Sequence, residues 1–144
     1  MPVFQSADEL YEIYDEFFKL VKGSEEAKSI MRSYMKSDTH NALVQYIYHK
    51  PEAKMTWMES DDGGIDVVFG ETDLNPELIF EMDVDIGHKF WLGEIELTPA
   101  LARKQIESKG PLSKALKVVP QLKIWYPKYR EYLLNTGRNE LVIG

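Results

Sequence analysis

Between Leu78 and Ile86 the apolar residues Leu78, Phe80, Met82, Val84 and Ile86 alternate with the acids Glu81, Asp83 and Asp85. Successive strand side chains point to opposite faces of a sheet, so a period of two puts every apolar residue on one face. The acids are then the solvated face of an amphipathic strand; the competing reading, a general acid and base pair, needs a cleft around them that the pattern does not supply. A chain with such a strand must build a sheet with one wet face, and it must cover the dry face with a second layer.

The preceding residues supply that cover. Ser6-Ala7-Asp8-Glu9 is a capping box, and Leu10, Ile13, Tyr14, Phe17, Phe18 and Val21 follow at helical spacing. Gly23 stops this helix. Ser24 caps a second one, with Ala27, Ile30, Met31 and Tyr34 on its apolar stripe. The period then changes to two. Ala42, Val44, Tyr46 and Tyr48 share one side of a strand ended by Pro51, and a second strand spans about Lys54 to Glu59. Asp61-Asp62-Gly63-Gly64 turns the chain into a third strand, Ile65 to Phe69.

Beyond the alternating segment the elements shorten. Asp85 caps a short helix carrying Phe90 and Trp91 that ends near Gly93. Thr98-Pro99 opens another helix, and Gln105 to Lys109 forms a short strand broken by Gly110-Pro111. Leu112, Ala115, Leu116 and Val119 mark one side of a following helix. Pro120 and Pro127 divide the C-terminal region into short helical pieces. Helices, three strands, then a strand, helix, strand and helices make an α+β layout in one domain, residues 1–144. It divides into N-terminal helices (1–36), a sheet region (40–110), closing helices (111–134) and a tail (135–144).

Several functions are disfavoured. The chain has no cysteine, which removes disulfides and thiolate chemistry and points weakly to a reducing, cytoplasmic setting. A net charge of −7 repels phosphates, so nucleic acid is not an expected partner. Met1 to Gln5 lacks the basic and apolar regions of a signal peptide, and no apolar run approaches the roughly 20 residues that span a bilayer. His40, His49 and His88 show no HxxxH or HxH spacing, so they are expected as surface or hydrogen-bonded side chains and not as metal ligands. Asp83 to Gly87 lacks the further acidic ligands of a calcium loop. No cofactor is implied. Lys114, Lys117, Lys123, Lys128 and Arg130 concentrate positive charge in an otherwise acidic chain, either as a solvated helix face or as a dock for anionic head groups.

The ordered series from Leu78 to Tyr132 carries a resemblance. It runs Leu78-Ile79-Phe80-Glu81-Met82-Asp83-Val84-Asp85, Phe90-Trp91-Leu92-Gly93, Leu97-Thr98-Pro99-Ala100-Leu101-Ala102, Ile106 and Gly110-Pro111. It continues with Lys114-Ala115-Leu116-Lys117-Val118-Val119-Pro120 and closes on Tyr126-Pro127-Lys128-Tyr129-Arg130. This series resembles the sterol carrier protein family, the nonspecific lipid-transfer type. The resemblance implies a mixed five-stranded sheet with helices packed on one face, enclosing an apolar tunnel for a fatty acid, acyl-CoA, phospholipid or sterol-like molecule. The chain departs from the family pattern at Lys104, where a glycine usually precedes the strand, and at Ser108, an apolar place.

On that reading the tunnel lining is Val44, Tyr46, Met55, Trp57, Phe80, Met82, Phe90, Leu101, Ile106, Leu116, Val119 and Leu122, with Lys114, Lys117 and Lys123 docking a head group or membrane. The expected function is to carry or present a hydrophobic ligand without catalysis, with transient membrane contact. The alternatives are an accessory or dimerisation module for a partner enzyme and, third, an enzyme acting on a bulky apolar substrate.

Overall fold

The computed structural model describes residues 6–21, 23–34, 41–110, 112–138 and 141–142, without the side chains of Ser33, Tyr34, Leu112, Lys114, Ala115, Val118 and Val119. The expected roles of Tyr34, Leu112, Lys114, Ala115 and Val119 therefore lie outside the described residues.

Eleven elements follow one another: α1 (Ala7–Val21), α2 (Glu25–Tyr34), β1 (Ala42–His49), β2 (Ala53–Glu59), β3 (Ile65–Phe69), β4 (Pro76–Asp83), α3 (Val84–Trp91), α4 (Leu97–Ala102), β5 (Ile106–Lys109), α5 (Leu112–Leu122) and α6 (Trp125–Asn135). The first helix starts where the capping box places it, with the Glu9 amide donating to Ser6 Oγ at 3.2 Å. Ser24 repeats the device at α2 through the Ala27 amide, also at 3.2 Å. Each cap satisfies one of the orphan donors of a first turn, worth about 1 kcal/mol.

The five strands form one mixed sheet in the order β3-β2-β1-β4-β5. The central pair, β1 and β4, is parallel and the other pairs are antiparallel. Register builds the inner face in rows. Trp57, Val44 and Leu78 form one row, Met55, Tyr46 and Phe80 the next, and Ala53, Tyr48 and Met82 the third. All of these side chains are buried. On the other face Gln45, Ile47, His49, Ile79, Glu81 and Asp83 stay partly exposed. The alternation thus gives the sheet one covered and one wetter face, with Leu43, Thr56 and Glu77 on the second also buried. The α1 stripe read from the sequence, Leu10 to Val21, is buried over it.

The strand is shorter than the alternation predicts. β4 stops at Asp83, and Val84 and Ile86 belong to α3. Asp83 is the N-cap residue, and Val84, Gly87, His88 and Trp91 form a buried i, i+3, i+4, i+7 stripe. A glycine and a histidine in that stripe hide its period from an apolar count. The unusual Lys104 takes a left-handed backbone, φ 60°. This is the conformation that favours the glycine expected there. Ser108 pairs with Phe80, on the inner face. Pro120 lies inside α5 near its end, so the expected break falls after Leu122. Pro127 sits in the first turn of α6, where a missing N–H breaks no helical bond. The segment read as a tail returns to the body: Leu141 is buried, and His88 Nε2 donates to its carbonyl at 2.6 Å.

Candidate functional site

The space between sheet and helices is occupied by aromatic rings. Trp57 on β2 lies 5.2 Å from Tyr46, 5.3 Å from Phe18, 5.8 Å from Trp91 and 6.0 Å from Trp125, measured between ring centroids. Phe18 also meets Trp91 edge-on at 5.6 Å. Of the residues expected to line a tunnel, Val44, Tyr46, Met55, Trp57, Phe80, Met82, Phe90, Ile106 and Leu122 are buried here. Leu101 is half-buried against the same core. Leu116 points outward at 46% exposure.

Two kinds of polar atom are enclosed with these rings. His88 is buried and joined at Nδ1 to the Tyr129 hydroxyl, 3.0 Å away. Nε2 donates to the Leu141 carbonyl, so Nδ1 accepts from the phenol. Burial lowers the His88 pKa, against the backbone hydrogen bond to Leu141. Burial also raises the Tyr129, Tyr46 and Tyr48 phenols, which stay neutral. By contrast, the Tyr46 hydroxyl and the indole nitrogens of Trp57 and Trp125 are buried with no hydrogen-bond partner among the described residues.

Open volume lies beside this cluster. A cleft of about 450 Å³ is lined by Gly93, Ile95, Glu96, Leu97 and Thr98 on one wall and by Leu116, Pro120, Lys123 and Tyr126 on the other. The turn after α3 makes the first wall, and the end of α5 with the start of α6 makes the second. Tyr126 separates cleft from core: its ring stands edge-on to Phe90 at 5.8 Å and to Trp91 at 6.4 Å. Gly93, at φ 81°, leaves room for that ring, since a β-carbon there would lie 3.1 Å from Tyr126 Cδ2. Desolvation raises the Tyr126 phenol to about 12, so it is uncharged at neutral pH. The cleft therefore offers apolar lining from Ile95, Leu97, Leu116 and Pro120, a neutral phenol, one cation, Lys123, and one acid, Glu96.

From the sequence list, Leu116 and Lys123 reach this cleft, and Lys117 is exposed on the same helix. Gly93, Ile95, Leu97, Thr98, Pro120 and Tyr126 were not foreseen as lining. A wall made by a turn has no hydrophobic period, and the one available signal was Gly93 closing α3 just before another helix.

The wet face carries a separate polar group. His49 Nδ1 bonds Glu52 at 2.7 Å and Nε2 bonds Glu81 at 2.6 Å. With a carboxylate on each nitrogen the ring donates twice as an imidazolium, and the bonds to Glu81 and then Glu52 raise its pKa. Glu81 is thus held in a hydrogen bond as well as solvated. Among the described residues no three histidine or acidic side chains converge to hold a metal ion. No described helix is long and apolar enough to cross a membrane.

No family model matches the sequence, and no curated protein matches it. Solved structures do. Sterol carrier protein 2 of Yarrowia lipolytica, in its apo form, superposes with a TM-score of 0.56 at 12% identity, over 83% of this chain and 91% of that one. A second structure, of a sterol carrier protein 2, gives 0.55 at 15% identity over 82% and 92%. The stereoselective sec-alkylsulfatase Pisa1 of a Pseudomonas species gives 0.55 at 11% identity, over 74% of this chain but 16% of that one. At these identities the likeness establishes the fold: the chain has the α+β sterol-carrier architecture that the residues from Leu78 to Tyr132 resemble.

Proposed function

We propose that this chain binds a hydrophobic, lipid-like molecule in the cleft between the α3–α4 turn and α5, and carries or presents it without chemistry of its own. The observation that carries the reading is the cleft itself, about 450 Å³ in volume, whose lining includes the apolar side chains of Ile95, Leu97, Leu116 and Pro120 beside Tyr126. That volume falls in the range of small-molecule sites, roughly 300–1,000 Å³. The sterol-carrier fold supports the same reading.

Magnitudes agree with a carrier. A sixteen-carbon chain would gain at most about 12 kcal/mol, the value for burial along its whole length. Ordering and association remove about half of this. The remaining ~6 kcal/mol corresponds to dissociation constants of tens of micromolar, tight enough to load and loose enough to release. The absence of cysteine supports a cytoplasmic setting.

A second reading rests on the sulfatase likeness, in which this fold occupies a small part of a longer enzyme chain. There the domain would act as an accessory module for a partner enzyme, and stable co-purification with an enzyme would favour it. The primary test is native mass spectrometry of the purified protein with organic extraction, followed by titration with a fluorescent fatty acid. Leu116→Trp, at an exposed position, fills part of the cleft. Displacing about two methylenes' worth of ligand costs ~1.6 kcal/mol, or about 15-fold in affinity. Saturable uptake that Leu116→Trp leaves unchanged would place the ligand elsewhere, and no uptake at all would end the carrier reading.

A further inference from the structure

The cleft stops at Tyr126, and a second hollow begins on the other side of the same residue. This groove, of about 340 Å³, is lined by Leu92 on one wall and by Pro127, Arg130, Leu134 and their neighbours on α6 on the other. From Pro127 to Asn135 the helix rises about 12 Å, so the groove follows most of α6. Tyr126 is the one described residue common to the two linings. Both walls step across it: Gly93 borders the cleft and Leu92 the groove, while Lys123 borders the cleft and Pro127 the groove. The waist between the two spaces is the contact of the Tyr126 ring with Gly93, where a single added carbon would lie 3.1 Å from Cδ2. This waist is braced on both sides. Phe90 and Trp91 hold the ring edge-on, and Arg130 ties the walls together by donating to the Leu92 carbonyl at 3.1 Å.

We propose that Tyr126 sets the chain length this protein accepts: its ring closes the cleft against Gly93 and keeps a bound hydrocarbon chain out of the groove along α6. The proposal rests on the lipid-binding reading and adds a limit on the length of the ligand. A methylene group is close in size to a water molecule, whose share of volume is about 30 Å³, so a cleft of about 450 Å³ holds about fifteen chain atoms. The groove would hold about eleven more if the waist were open. Every methylene buried multiplies affinity by about four. Affinity therefore climbs with chain length until the chain meets Tyr126. A carbon beyond that point stays in water and adds almost nothing. The ring does not turn aside for a longer chain, because its contacts with Phe90 and Trp91 would be lost in doing so. The limit is steric and is independent of the charged side chains around either space.

The test is displacement of a fluorescent fatty acid from the intact protein by saturated fatty acids of about eight to about twenty carbons, each kept monomeric. In the parent, affinity should rise about fourfold per methylene and then level off at or before about fifteen carbons, so that the longest acids bind no tighter than those at the plateau. Tyr126→Leu keeps an apolar side chain against Phe90 and Trp91 but removes the ring. It should shift the plateau to longer chains, with the longest acids gaining at least fivefold over the shortest relative to the parent. Adding Leu134→Trp, an exposed substitution that fills the groove, should bring the plateau back. Thermal unfolding reports that the variants fold, and the parent series is decisive without them: affinity that rises smoothly to the longest chain overturns the proposal. So does a plateau that Tyr126→Leu leaves in place, or an extended one that Leu134→Trp does not shorten. Each of these results leaves uptake, and with it the lipid-binding reading, standing. No uptake at any length removes both.

Discussion

Gly93 couples stability to the cleft, and Gly93→Ala measures the coupling. Two effects act at this position. The backbone φ of 81° is one an L-residue enters at a cost of about 1–2 kcal/mol, partly offset by the ~0.4–1 kcal/mol that alanine gains by restricting the unfolded chain. The new methyl would also lie 3.1 Å from Tyr126 Cδ2, inside the 3.5–4.0 Å of a comfortable carbon contact. Tyr126 cannot yield freely, because Phe90 and Trp91 hold its ring from behind. Overpacking of this kind costs about 1–3 kcal/mol, and a half-buried ring takes the lower end.

Gly137 isolates the first effect: its φ is 78°, and among the described residues nothing lies within 4 Å of a β-carbon there. Gly137→Ala should therefore cost about 0.5–1 kcal/mol and Gly93→Ala about 1 kcal/mol more. In urea, with a slope near 1.5 kcal/mol/M, that difference is a midpoint separation of roughly 0.7 M. Fatty-acid titration supplies the second readout. Gly93→Ala pushes Tyr126 toward the cleft and should weaken uptake severalfold, whereas Gly137→Ala should not affect it. Equal midpoints together with equal uptake would refute the role assigned to the Gly93–Tyr126 contact.

Other expectations follow from the polar groups. His49 has a raised pKa in the folded state, so its contribution to stability is complete below the unfolded value of about 6.5 and is lost as pH rises through the folded value. Glu81→Gln should lower the midpoint of its NMR titration and destabilise the protein more at pH 6 than above pH 8; an unmoved midpoint contradicts the bridge. His88 has the opposite sign. Its pKa is lowered by burial, so the unfolded chain takes up the proton first and stability falls as pH drops below about 6.5. His88→Gln should flatten that slope in urea titrations at several pH values. Tyr46→Phe removes a buried hydroxyl that lacks a partner among the described residues and should be neutral or stabilising by up to about 1 kcal/mol. Tyr129→Phe removes the hydrogen bond at His88 Nδ1 and should cost about 1–3 kcal/mol, so a reversed order in urea midpoints would contradict the hydrogen-bond assignment.

Local chemistry made much of the fold legible. Ser6 and Ser24 cap where the sequence puts them because a cap needs only its own next three residues. The α1 stripe and the β1 face are read directly because burial there follows a fixed period of 3.6 or 2. The boundary at Asp83 was not legible, since Gly87 and His88 complete the α3 stripe without counting as apolar. The cleft was less legible still. The tunnel expected between sheet and helices coincides with rings that meet from α1, β1, β2, α3 and α6 at 5–6 Å, a convergence that no single segment encodes. Its open volume lies instead between a turn and two helix ends. What the sequence by itself determined was which face of each element is dry and where the positive charge gathers, because periodicity and charge are properties of neighbours along the chain. Only the tertiary structure decided which dry faces fill one another and which leave a space, because filling depends on the distance between segments far apart in sequence, such as Gly93 and Tyr126.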